Sequence, residues 1–256
     1  MSTHVRTTHR DGVARIEVDN APVNALSADV VAELIGALQE VGGSGSRVVA
    51  LTGARSTFIA GADISEFPAL LADPAAVAAH VRATRPLFEL LGSIPQPVVA
   101  VVRGAAVGGG LEVALACDLV VAEDTARVGL PEVKLGLIPG GGGTQRLARQ
   151  VGRVVASRLV MTGELLGAEE ALRLGILSHV VPHGSFDEGV ERLLARLGAL
   201  PRAALSTGKR ALRDGLELSL AEGLALEERL FQPLFGTDDV REGHAAFVGK
   251  RRPHFA

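Results

Sequence analysis

The residues best placed to do chemistry cluster around two glycine runs. Gly108-Gly109-Gly110 is followed at once by Leu111 and Glu112, and further along lie Pro131-Glu132 and the run Gly140 to Gly143. Without Cβ atoms, glycines let a backbone approach a ligand closely and take dihedrals that other residues avoid. An apolar run, Pro97 to Val102, precedes the first glycines, and a good helix-forming stretch, Leu111 to Ala116, follows them. The first N–H groups of such a helix have no internal partner and carry the positive end of its dipole, which suits negative charge. Glu112 is a poor neighbour for a phosphate, so the anion would be of another kind. A tight strand–helix turn, with Glu112 favouring the dipole of its own helix, reads equally well from this stretch alone. Taken alone, Glu132 reads as a surface carboxylate after Pro131, and Asp63 as a loop-capping residue.

Several other chemistries find no support. No Lys-Ser/Thr follows Gly140 to Gly143, and there is no Gly-x-Gly-x-x-Gly or Gly-x-Ser-x-Gly pattern. The seven histidines are scattered without metal-ligand spacing. Lys250-Arg251-Arg252 reads as a solvated end, since no aromatic residues interleave with a broad basic patch.

Positioning these residues requires a layered core. Val5 to Thr8 and Val13 to Val18 alternate around an Asp-Gly turn and predict a hairpin. Ser27 or Asp29 caps a helix through about Val41, with Val30, Val31, Leu34, Ile35 and Leu38 on one face. Val48 to Gly53, Pro97 to Val102 and Leu119 to Ala122 read as buried strands, with a helix from about Ala75 to Leu91 between the first two. A helix opens after the second glycine run and continues to about Val151. Strand-then-helix units with apolar strands predict an α/β core with parallel pairing. From Ala156 on helices dominate, over 156–162, 168–174, 188–197, 203–214 and 218–231, as an appendage packed on the core or on a neighbour.

With 47% hydrophobic residues but only 3% aromatic ones, the core must be aliphatic. A net charge of −3 argues against a phosphate-backbone partner. The single cysteine, Cys117, rules out an intramolecular disulfide and reads as an inert thiol in an apolar helix. Met1 to Arg6 holds no apolar signal core and no stretch is long enough to span a membrane, so a soluble cytoplasmic protein is expected.

Three stretches line up in order: Asn20-Ala-Pro-Val-Asn-Ala-Leu26, Phe58-Ile-Ala-Gly-Ala-Asp-Ile64, and the series from Gly108 through Glu112, Leu130-Pro-Glu132 and Ile138 to Gln145. Together they resemble the enoyl-CoA hydratase/isomerase (crotonase) superfamily over nearly the whole chain. The resemblance implies an α/β crotonase (ClpP-like) spiral of repeated ββα units over 1–195, with a C-terminal helical trimerisation region over 196–256. It implies hydration of trans-2-enoyl-CoA in fatty-acid β-oxidation by a homotrimer or homohexamer. Coenzyme A would enter only as part of the substrate, with no cofactor, metal, nucleic acid or membrane.

By position, the resemblance makes Glu112 and Glu132 the catalytic carboxylates, with Glu132 the proton donor to C2. Ala60 and Gly109 become the oxyanion-hole donors. Ala62, Asp63 and Ile64 hold the adenine end of coenzyme A, with Val23 nearby, and Gly140 lines the acyl site. Phe231, Phe247 and Lys250 reach a coenzyme A on a neighbouring subunit. Two departures stand out. The Asn-x-Pro loop is two residues shorter than in many family hydratases, and Ser56 replaces a common lysine. Rival readings are a double-bond isomerase, needing one glutamate, and a homologue that binds acyl-CoA or RNA without chemistry.

Overall fold

A computed structural model describes residues 4–255; the expectation for Met1 to Thr3 lies outside the described residues. Strands β1 (Val5–Arg10) and β2 (Val13–Val18) pair antiparallel around Asp11 and Gly12, both at positive φ. Helix α1 (Ala28–Gly42) is capped by Ser27, whose Oγ accepts from the Val30 N–H at 3.3 Å, and it buries Val30, Val31, Leu34 and Leu38. Then follow β3 (Val48–Gly53), α2 (Phe67–Ala72), α3 (Pro74–Ser93), β4 (Val98–Val102), β5 (Ala105–Val107) and α4 (Gly109–Ala116). After these come β6 (Leu119–Glu123), β7 (Arg127–Gly129), α5 (Gly143–Val151), α6 (Arg153–Thr162), β8 (Leu165–Gly167), α7 (Ala168–Arg173) and β9 (His179–Val181). Four helices close the chain: α8 (Phe186–Gly198), α9 (Arg202–Gly215), α10 (Leu220–Phe231) and α11 (Asp238–Val248).

The main sheet runs β1-β2-β3-β4-β6-β9 and is parallel from β2 onward. Alternate side chains of its strands feed two cores, as the two-residue period of a strand requires. Val49, Leu51, Val98 and Ala100 face α1, α3 and α4, whereas Val48, Ala50, Val99 and Val101 face Phe186, Val190 and Leu194 of α8. A second sheet, β5-β7-β8, is built from three-residue strands, and its β7–β8 pair is antiparallel, so pairing is not parallel throughout. This sheet was not expected from the sequence, because three-residue strands are too short to display a period; α2 and α11 were not expected either.

Helix α9 is fastened to the core by a buried ion pair. Lys209 Nζ lies 2.8 Å from Asp118 Oδ2 and donates to the Leu91 and Gln96 carbonyls at 3.0 Å each. The Lys209 side chain is only 5% exposed, so losing its ammonium takes the donor from two carbonyls and the counter-charge from Asp118, which still accepts from the Val98 N–H at 2.7 Å. Breaking such a pair costs about 3–5 kcal/mol. Lys209→Ala is therefore expected to lower Tm by roughly 10 °C or more, read by a thermal melt. A melt within two or three degrees of the parent would show that α9 docks without this pair.

Candidate active site

The small sheet sets the geometry. β5 and β7 pair in parallel with Val107 opposite Gly129, and each runs directly into a segment carrying a carboxylate. The chain leaves β5 through Gly108, at φ 56° and ψ −128°, whose N–H donates to the Gly129 carbonyl at 2.9 Å. Of the three consecutive glycines only this one lies at positive φ. Gly110 is demanded by packing, since a Cβ there would sit 1.9 Å from the Ile59 carbonyl oxygen. Gly109 opens α4 and, as a first-turn residue, has an N–H that the helix itself cannot use.

A second free donor lies beside it, at Ala62 rather than Ala60. The Ala60 N–H already donates to the Val23 carbonyl at 3.2 Å. Ala62 forms a parallel bridge with Leu26, in which the Leu26 N–H donates to Gly61 at 2.8 Å and the Asp63 N–H to Leu26 at 3.1 Å. That pattern turns the Ala62 N–H to the other side, where it has no backbone acceptor among the described residues. A Cβ on Gly109 would lie 3.7 Å from this nitrogen, so the free donors at 62 and 109 adjoin one another. The Ala60 N–H, expected as an oxyanion-hole donor, is here engaged by the Val23 carbonyl of the loop over 20–26.

Glu112 is 4% exposed and faces inward from α4. Its Oε1 accepts from the Gly141 and Gly143 N–H groups, both at 2.7 Å. The carboxylate therefore caps the start of α5 as well as standing in the first turn of its own helix. Burial pushes its carboxyl above the usual range, opposed by these two N–H groups and by the Arg146 charge. Glu132 begins a short 3-10 turn, Glu132–Leu135, and its Oε2 is buried without a hydrogen-bond partner. Burial raises its pKa also, and the neighbouring Glu112 charge adds to the shift.

Both carboxyls, Ala62 and Gly109 line one cavity of about 490 Å³, whose outer wall includes Phe67, Leu70, Val81, Leu135 and Ile138. Two free N–H donors and two desolvated acids in a largely apolar pocket can stabilise a developing oxyanion while moving protons on either side of it. A second cavity, about 400 Å³, lies where α8 meets the sheet. Its Arg15 and Arg103 are spent on Glu191 and Asp187, each at 2.6 Å, and it offers no comparable set.

The chain matches the family described as "Enoyl-CoA hydratase/isomerase" over residues 8–256. It belongs to the enoyl-CoA hydratase/isomerase family. It is 41% identical over 237 residues to the 2,3-dehydroadipyl-CoA hydratase of Escherichia coli (strain K12), covering 92% of this chain and 90% of that protein. Its structure resembles the crystal structure of an enoyl-CoA hydratase from Bacillus anthracis, with a TM-score of 0.94 and 34% identity over 98% of both chains. An enoyl-CoA hydratase from Polaromonas sp. JS666 gives a TM-score of 0.93 at 31% identity, over 98% of this chain and 99% of that one. The fold is the crotonase fold of these enzymes.

Of the residues singled out by sequence for this family, Glu112, Glu132, Ala60, Ala62, Ile64, Gly109 and Gly140 meet at the larger cavity. Asp63 stands outside its lining and caps the turn that follows it, accepting from the Ser65 N–H at 2.9 Å; the Ser65 hydroxyl and then this N–H hold its carboxyl below the usual range. Val23 also lies outside that lining and contributes its carbonyl to Ala60. Phe231, Phe247 and Lys250 are exposed and outside the lining of this chain's cavity, with the Phe231 ring edge-on to Phe235 at 5.2 Å. Cys117 ends α4, half-buried, and its thiol donates to the Val113 carbonyl at 3.3 Å, with burial pushing its pKa up. Among the described residues no helix is long and apolar enough to cross a membrane.

Proposed function

We propose that this chain adds water reversibly to trans-2-enoyl-CoA thioesters, giving 3-hydroxyacyl-CoA. The observation carrying the reading is the meeting of two desolvated carboxyls, Glu112 and Glu132, at one cavity that also presents the free N–H groups of Ala62 and Gly109. The thioester carbonyl accepts from those two donors. Ionised Glu112, tied to two backbone N–H groups, takes a proton from water as its oxygen bonds to C3. Electron density moves onto the thioester oxygen as an enolate, and Glu132, entering in the protonated form that burial and the nearby charge favour, delivers a proton to C2. A proton passed from Glu112 back to Glu132 restores the pair. Isomerisation would draw on the same donors with one glutamate, so retention of both acids favours hydration.

The substrate's nucleotide end leaves the cavity past Ala62 and Ile64. Exposed apolar residues on the last helices and the turn joining them, among them Leu216, Leu220, Leu224, Phe235 and Phe247, support a trimer or hexamer built by the region over 196–256. In such an assembly Phe231, Phe247 and Lys250 would reach a coenzyme A held by the neighbouring copy. A cytoplasmic place in fatty-acid β-oxidation, without an added cofactor, completes the reading. Crotonyl-CoA offered to the purified protein is expected to lose its conjugated thioester absorbance and yield 3-hydroxybutyryl-CoA, from particles sedimenting as three or six chains. No turnover of 2-enoyl thioesters of any length, with rapid conversion of 3-enoyl-CoA, would replace hydration by isomerisation.

A further inference from the structure

Arg146 of α5 is half-buried, yet among the described residues it forms no ion pair with a carboxylate. Its guanidinium is spent on backbone instead. Nη1 donates to the Gly141 carbonyl at 2.8 Å and Nη2 to the Phe88 carbonyl at 3.4 Å, with Cζ 5.8 Å from the centroid of the Phe88 ring. Gly141 is thereby held on both sides, its carbonyl by Arg146 and its N–H by Glu112 Oε1. The glycine run is shaped around this arrangement. Gly142 lies at φ +107°, and a Cβ there would sit 2.0 Å from Arg146 Nη1. A Cβ on Gly141 would sit 2.3 Å from Phe88 Cζ and 2.9 Å from Glu112 Oε2.

We propose that Arg146 is a positioning residue for the hydration: it holds the loop over 141–143 so that its N–H groups aim at Glu112, and it sets its guanidinium charge on the Glu112 side of the site. This rests on the hydratase reading above. The other charged or titratable groups around Glu112 are Glu132, Lys134 and His80 along the cavity, and Cys117, Asp118 and Lys209 near the far end of α4. Of these, Lys209 is neutralised by Asp118 at 2.8 Å. The Arg146 charge acts to lower the Glu112 carboxyl, while no cation is among the influences on Glu132.

A cation lowers a carboxyl pKa, so its removal raises it, and in a reaction needing ionised Glu112 the fall in rate on acidification then sets in at a higher pH. Profiles of kcat/KM against pH with crotonyl-CoA, beside thermal melts, test this for the parent, Arg146→Gln and Arg146→Lys. In Arg146→Gln the acid limb should move up, so that rate is lost below the limb and kept above it. Arg146→Lys keeps the charge but cannot span both carbonyls, so its limb should return towards the parent's while kcat stays reduced and KM changes little. A limb unmoved in Arg146→Gln, whatever happens to rate or Tm, overturns the proposal, because a purely structural loss lowers activity equally at all pH. Should that variant fail to fold, the lysine variant decides. Reduced kcat on an unmoved limb supports the proposal, whereas a full kcat or a moved limb overturns it. A parent protein that does not hydrate 2-enoyl-CoA, or a fully active Glu112→Gln, sinks the hydratase reading itself before the Arg146 variants are compared.

Discussion

Glu112→Gln and Glu132→Gln should each lower kcat for crotonyl-CoA hydration by about 10²–10⁴-fold, with KM changed far less. The first substitution is nearly isosteric, and its amide oxygen can still accept from the Gly141 and Gly143 N–H groups now 2.7 Å from Oε1. The loop and the start of α5 therefore stay in place, and what disappears is the group that takes the proton from water. The second removes an acid whose buried Oε2 has no partner, so folding gains or loses little and the proton for C2 is lost. The double variant should be scarcely worse than the worse single one, because the two act in one concerted proton movement. Stopped-flow absorbance of the conjugated thioester measures all three. Hydration within about tenfold of the parent in Glu132→Gln would make that residue a bystander.

Gly109→Pro should lower kcat by at least about 10²–10³-fold while leaving α4 folded. Proline is tolerated at the first helical position because the N–H it removes is not used by the helix. Here that N–H is one of the two free donors at the cavity. The added Cβ would lie 3.2 Å from Leu26 Cδ1, the end of a side chain able to yield. Losing one donor to a developing oxyanion costs about 2.7–4 kcal/mol, and the ring also fills the space the thioester oxygen would occupy. Circular dichroism and a melt near the parent's, beside the kinetic loss, establish the role. A kcat within a few-fold of the parent would show that the carbonyl is held elsewhere.

The residues that carry strong local signals were legible. Asp11-Gly12 between alternating runs, Ser27 before an amphipathic stretch, and the apolar Val48 to Gly53 each appear where expected. The two glutamates and Gly109 could be placed through three motifs read together. Ala60 and Ala62 could not be separated in that way. They flank the same glycine in near-identical local sequence, and only the Val23 carbonyl, contributed by a distant loop, decides which N–H is free. Likewise the three consecutive glycines look alike in sequence, whereas one makes a turn, one offers a donor and one avoids the Ile59 carbonyl. Arg146 carried no signal, since its contacts run to carbonyls in two other segments.

The pairing of β5 with β7 makes the distance between the two acids a property of register. Val107 faces Gly129, the Gly108 N–H closes the rung to Gly129, and both glutamates are counted off from that line. An insertion of one residue in either strand would dephase the acids while leaving the larger sheet's ladder whole. Opening of a few rungs of this small sheet would uncouple the acids without global unfolding, and hydrogen exchange at the Gly108 amide would time that opening.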